Sequence, residues 1–257
     1  MKRLKFILPA VLILLMVTVR AEAHFGMLIP SDSMVMQEDA RSVKLTLSFS
    51  HPFEMVGMEL VRPKRFGVLH DGQTEDLTGQ LKKVSVMGQT GWEANYAIKR
   101  PGAYVFFMEP EPYWEPAEDC YIIHYTKTVV AAFGDDEGWD APVGLKTEIV
   151  PLCKPFGLYA GNVFQGVVLI DGKPAPGSTV EVEYYNQDKS VTAPTDYMIT
   201  QTIKADSNGV FTYAAPAGGW WGFAALNEAD SRIEHNGEKK AVELGAVIWV
   251  RFYDWRR

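Results

Sequence analysis

The chain has 257 residues, of which 47% are hydrophobic and 12% aromatic, so it can build one large or two modest cores. Its 25 Lys and Arg face 32 Asp and Glu, a formal net charge of −7. That balance excludes a nucleic-acid binder or a protein held on an anionic membrane, and favours cations as partners.

The first elements read as a leader. Lys2, Arg3 and Lys5 precede an apolar run from Phe6 to Val19, and Ala21 and Ala23 place small residues at −3 and −1 of a signal-peptidase site. Residues 1–23 are therefore expected to be a signal peptide cleaved after Ala23, which places the product in the periplasm. Cleavage removes four basic residues and Glu22, leaving a mature charge of about −10. No later apolar run approaches the ~20 residues needed to span a bilayer, so a soluble exported protein is expected. The mature chain would begin at His24, whose α-amine and imidazole can chelate a metal ion from one residue.

Strand signals follow. His24–Ile29 reads as extended, Ser31–Ser42 is polar, and Val43, Leu45, Leu47 and Phe49 alternate with Lys44, Thr46 and Ser48. If the two strands pair antiparallel, opposed residues have numbers summing to about 74, so His24 lies across from about Ser50 and a bulge or frayed end brings His51 to it. Tyr104–Met108 and Tyr121–Phe133 also read as strands. Asp71-Gly72, Asp171-Gly172, Asn208-Gly209 and Asn236-Gly237 read as tight turns. A composition shift at Pro151–Gly161 divides the chain into domains 24–157 and 158–257. The second carries Gly166–Tyr185, Lys204–Tyr213 and Gly218–Ala225 as strands, and its Asp206–Gly209 turn before an aromatic strand resembles the transthyretin-like sandwich. The expected fold class is all-β, two β-sandwich domains, the second Ig-like or transthyretin-like. In an oxidising compartment Cys120 and Cys153 are expected to form a disulfide closing a loop of about 34 residues, contributing roughly 3–4 kcal/mol.

No nucleophile elbow, His-Glu-x-x-His, P-loop, dinucleotide glycine pattern or Cys-x-x-Cys is present, and the chain is not expected to be an enzyme. Of five histidines, His70 and His235 adjoin Asp-Gly and Asn-Gly pairs and read as exposed turn residues. His24, His51 and His124 are the candidate metal ligands, and imidazole suits nickel, cobalt, copper and zinc alike. The segment Met108–Asp119 carries Glu109, Glu111, Glu115, Glu118 and Asp119 between prolines, either an acidic funnel with one carboxylate ligand or a rigid solvated connection.

His24-Phe-Gly-Met-Leu-Ile-Pro30, Ser48-Phe-Ser-His-Pro-Phe-Glu54, Met108-Glu-Pro-Glu-Pro-Tyr-Trp-Glu-Pro116 and His124–Phe133 together resemble the exported NikK-type accessory proteins of nickel/cobalt uptake. The resemblance covers essentially the whole mature chain. It implies capture of nickel, or cobalt, with delivery to membrane-embedded energy-coupling-factor importer subunits; the candidate ligands are His24 and His51, with His124 as a third candidate. Copper is the expected competitor. Two other readings stand beside it: a copper histidine-brace oxidase, and a metal-free structural or adhesive sandwich module.

Overall fold

The computed structural model describes residues 23–255; of the expected leader, 1–23, all but Ala23 lies outside the described residues. The described residues form three β-sheets, and among them there is no α-helix and no helix long and apolar enough to cross a membrane. The all-β sandwich expectation therefore holds.

A twelve-stranded sheet forms the middle layer, its main path running Gln201–Lys204, Thr179–Tyr184, Gly219–Glu228, Glu238–Tyr253, Cys120–Ala132, Gly102–Glu109, Arg65–His70 and Gln73–Asp76. A five-stranded sheet built on Phe25–Pro30, Ser42–His51, Gln89–Ala97 and Lys82–Val86 covers one face of its first half. There Val43, Leu45 and Leu47 pack with Tyr104, Phe106 and Met108. A four-stranded sheet built on Thr147–Pro151, Val163–Ile170 and Val210–Ala214 covers the second half, where Ile149, Phe164 and Phe211 pack with Val182, Phe223 and Ile248. The alternate residues of those same central strands, Ala224, Val247 and Trp249, turn the other way and bury Phe25 and Met27 of the first strand. The middle sheet is thus covered on both faces, and its strands read as near-continuous apolar runs.

The two halves are joined rather than tethered: Cys120–Thr128 lies parallel to Ala241–Trp249 in continuous register. The first strand crosses this seam closely. A Cβ on Gly26 would come 2.3 Å from Thr126 Oγ1, so only glycine permits the approach. Trp249 Nε1–H donates to the Gly26 carbonyl at 2.9 Å and fixes it there.

The expected Cys120–Cys153 disulfide is not formed; both cysteines are free. Cys120 packs against the core of the first half and Cys153 against that of the second, so the middle sheet separates them. Burial, with Glu118 and Glu243 adding to it, pushes the Cys120 thiol up to about 11. The Asp-Gly and Asn-Gly turns at 71–72, 171–172 and 236–237 all take positive φ at both positions, the hairpin geometry those residues favour. Met87-Gly88 does the same, with no marker in its first residue.

On the far face, Lys127 and Glu148 are both buried, 1% and 2% exposed, with Nζ and Oε2 2.8 Å apart. Glu148 also accepts from the Val143 and Gly144 amides at 3.0 and 2.9 Å. Burial lowers the Lys127 pKa, and Glu148 opposes that shift.

Candidate functional site

The site begins with strand register. Phe25 pairs with Ser50 and Gly26 with Phe49, through to Pro30 with Leu45. The sum is one more than the sequence spacing alone implies, so His24 continues the ladder directly opposite His51 and no bulge is needed. Their rings lie 4.7 Å apart between centroids. The chain from Ala23 passes beside His51, whose Nδ1–H donates to the Ala23 carbonyl at 3.0 Å.

Glu115 closes the site from the Pro-rich segment. Tyr113–Glu115 pairs antiparallel with Cys120–Ile122, so alternate side chains Tyr113 and Glu115 point inward. His24 Nε2–H donates to Glu115 Oε2 at 2.9 Å, and Oε1 accepts from the Ala117 amide at 2.8 Å. A carboxylate held this way fixes the histidine tautomer and leaves Nδ1 as the nitrogen with a lone pair. Burial first, then the proximity of His51 and His124, lowers the His24 pKa from its ordinary 6.5. The ring therefore stays neutral, and able to ligate, at a lower pH than a free histidine.

His124 takes a different part. Its Nδ1 accepts from the Gly26 amide at 3.3 Å and its Nε2–H donates to Glu243 at 3.2 Å. Phe49 stands between it and His24, 5.7 Å from each ring. A Cβ at position 245 would lie 2.3 Å from His124 Cδ2, so Gly245 makes the room this ring occupies. The structure thus brings His24 and His51 together and uses His124 to hold the first strand in place. Among the described residues, no three His, Cys, Asp or Glu side chains converge as a ready metal-binding group.

Two further buried acidic groups were not named by sequence reasoning. Glu181 and Glu183 alternate with core-facing Val180 and Val182 and so lie on the other face of the middle sheet, the one that bears the first strand and His124. Burial raises Glu181 to about 7, with Glu243 and Glu118 adding to it, and raises Glu183 to about 8. Glu183 accepts from the Thr200 hydroxyl, and its Oε2 has no hydrogen-bond partner among the described residues. A carboxyl with an unfolded pKa near 4.5 and a folded one near 8 costs nothing below 4.5 and progressively destabilises the fold as pH rises to about 8. Glu183→Gln is therefore expected to raise the melting temperature at pH 8 and leave it nearly unchanged at pH 4.5, in metal-free buffer. Equal shifts at the two pH values would contradict this assignment.

The two turn histidines are not exposed as their neighbours suggest. His70 stacks on Tyr104 at 3.9 Å and its Nδ1–H donates to the Ala103 carbonyl at 3.1 Å, a structural contact. His235 stacks on Trp114 at 3.7 Å, next to Glu115 in the chain.

No curated protein matches the chain. Among solved structures, it is similar to the D0-D1 domain of intimin, at 12% identity over 87% of this chain and 99% of that one, with a TM-score of 0.27. It is similar at 9% identity to fibronectin(III)-like modules of Clostridium thermocellum CbhA, over 89% of this chain and 95% of that one, with a TM-score of 0.23. These likenesses carry no functional argument. A family model matches residues 21–229, and the chain belongs to that family, described as a domain of unknown function, DUF4198.

Proposed function

We propose that the mature protein captures a divalent transition metal, nickel or cobalt, and binds it as cargo rather than catalysing a reaction. The observation that carries this reading is the placement of His51 Nδ1 3.0 Å from the Ala23 carbonyl, which is two bonds from the His24 nitrogen. Cleavage after Ala23 removes that carbonyl and puts a primary amine beside His51. The amine and His24 Nδ1 form a chelate, His51 adds a second imidazole, and Glu115 orients His24 from behind. The two imidazoles, too few for a site on their own, become a set of three nitrogens once the terminus exists. The Glu115 carboxylate beside His24 favours a cation, and delivery to a membrane importer follows the NikK-type resemblance.

Three nitrogens of this kind also describe a copper brace. The enclosure favours capture over oxidation of a large substrate, because the His24 and Glu115 side chains are only 10% and 11% exposed. Equilibrium dialysis of protein beginning at His24 should show one nickel ion per chain at neutral pH. The amine titrates near ~7.7–8.0, so protons compete for it and affinity should drop steeply below about pH 6, even though burial keeps the His24 ring neutral. Copper will bind more tightly still. Copper-loaded protein that turns over with a reductant and oxygen would favour the oxidase, and absence of any nickel or cobalt binding would leave a metal-free module.

A further inference from the structure

We infer that His235 is a positioning residue that latches the Tyr113–Glu115 strand over the His24 site, so that a contact from the second half of the chain sets how long an ion is retained. The retention part rests on the metal-capture reading; the latch itself rests on geometry alone.

Tyr113–Glu115 is a weakly held strand. It has three ladder residues, all paired to Cys120–Ile122, and Pro110, Pro112 and Pro116 around it supply no backbone donors. Along its inner face lies a cavity of about 250 Å³ whose walls include Phe49, Met108, Tyr113, Ile122 and His124. A gap under a strand removes the dispersion contacts that would otherwise hold it down.

The grip comes from the outer side. Trp114 points away from Tyr113 and Glu115, and the His235 ring lies on it at 3.7 Å with 14° between planes. Tyr121 meets the Trp114 edge-on at 5.1 Å, and its hydroxyl is 2.9 Å from His235 Nδ1. His235 is held at this spot by the tight hairpin in which it pairs with Glu238, across Asn236-Gly237. The two rings therefore clamp Trp114, and through the peptide bond to Glu115 they fix the carboxylate that orients His24. Loss of the clamp leaves the ligands intact but frees their lid.

The test measures hydrogen exchange of the 113–117 amides without metal, and the nickel dissociation rate from protein beginning at His24. His235→Ala should speed both by about tenfold, while His235→Phe, which keeps the stack and loses the polar contact, should stay within about threefold of wild type. Tyr159→Ala, which breaks the separate surface stack on Trp255, should change neither. Exchange is read as a ratio to the core amides of Thr126–Ala132, outside the pairing with Tyr113–Glu115, so a general loss of stability does not imitate an open latch. Unchanged 113–117 exchange in His235→Ala overturns the latch. Faster exchange with an unchanged dissociation rate overturns its role in retention. A wild type that takes up no nickel sinks the metal reading, and the exchange measurement still decides the latch.

Discussion

A Gly-Ser extension ahead of His24 should weaken nickel binding by at least about tenfold, and His51→Ala should weaken it by about 100-fold or more. The two changes strike different donors. The extension converts the terminal amine to an amide, which has no lone pair for the ion, yet leaves both imidazoles in place. His51→Ala removes the ring that lies 4.7 Å from His24. Glu115→Gln should fall between them, about 10–100-fold, because an amide still accepts from His24 Nε2 but no longer makes the ring more basic. Isothermal titration of the four proteins at one pH gives the ordering. Wild-type affinity in the extended protein would show that the amine is no ligand; wild-type affinity in His51→Ala would show that the opposed pair is not the site.

The second large effect concerns stability. Lys127→Met should destabilise the protein by about 3–5 kcal/mol, because it leaves the buried Glu148 carboxylate uncompensated. For a protein of this size that corresponds to a fall in melting temperature of roughly 6–20 °C. Glu148 cannot simply be deleted, since it also satisfies the Val143 and Gly144 amides. Lys127→Met combined with Glu148→Gln keeps an acceptor for those amides without the charge, and should recover much of the loss. A single mutant melting within about 2 °C of wild type would mean that the pair is replaceable, as some buried pairs are.

The local reading of strands and turns succeeded where residue chemistry acts over short range. Alternation in Val43–Phe49 announced a strand with one buried face, and the structure extends it to Ser42–His51. Three Asp-Gly or Asn-Gly pairs became hairpin turns. The His24–His51 opposition was legible because two neighbouring strands and one loop fix it, with an error of one residue in register. What could not be read depended on contacts between distant parts of the chain. Nothing local says that Cys120 and Cys153 face different cores, and their count alone invited a bond. Glu183 looks like an ordinary solvent-facing position of an alternating strand until Thr200 and the Phe53 backbone are placed against it. His235 beside Asn-Gly looks like a turn tip until Trp114 is placed under it. Glu115 was one of five equivalent acids in its segment, and only pairing with Cys120 singles it out.

The parallel seam between Cys120–Thr128 and Ala241–Trp249 has a consequence for folding order. A strand pair separated by more than a hundred residues closes a long loop before it gains any contact, which makes it slow. The first strand rests on Trp249 and Val247, and His124 is braced by Glu243. A chain still emerging vectorially, N-terminus first, therefore holds its earliest histidine without a place to dock. The His24–His51 pair reaches its final geometry only after the last strand has arrived, and any truncation that removes Glu238–Tyr253 should disorder the pair as thoroughly as loss of the first strand itself.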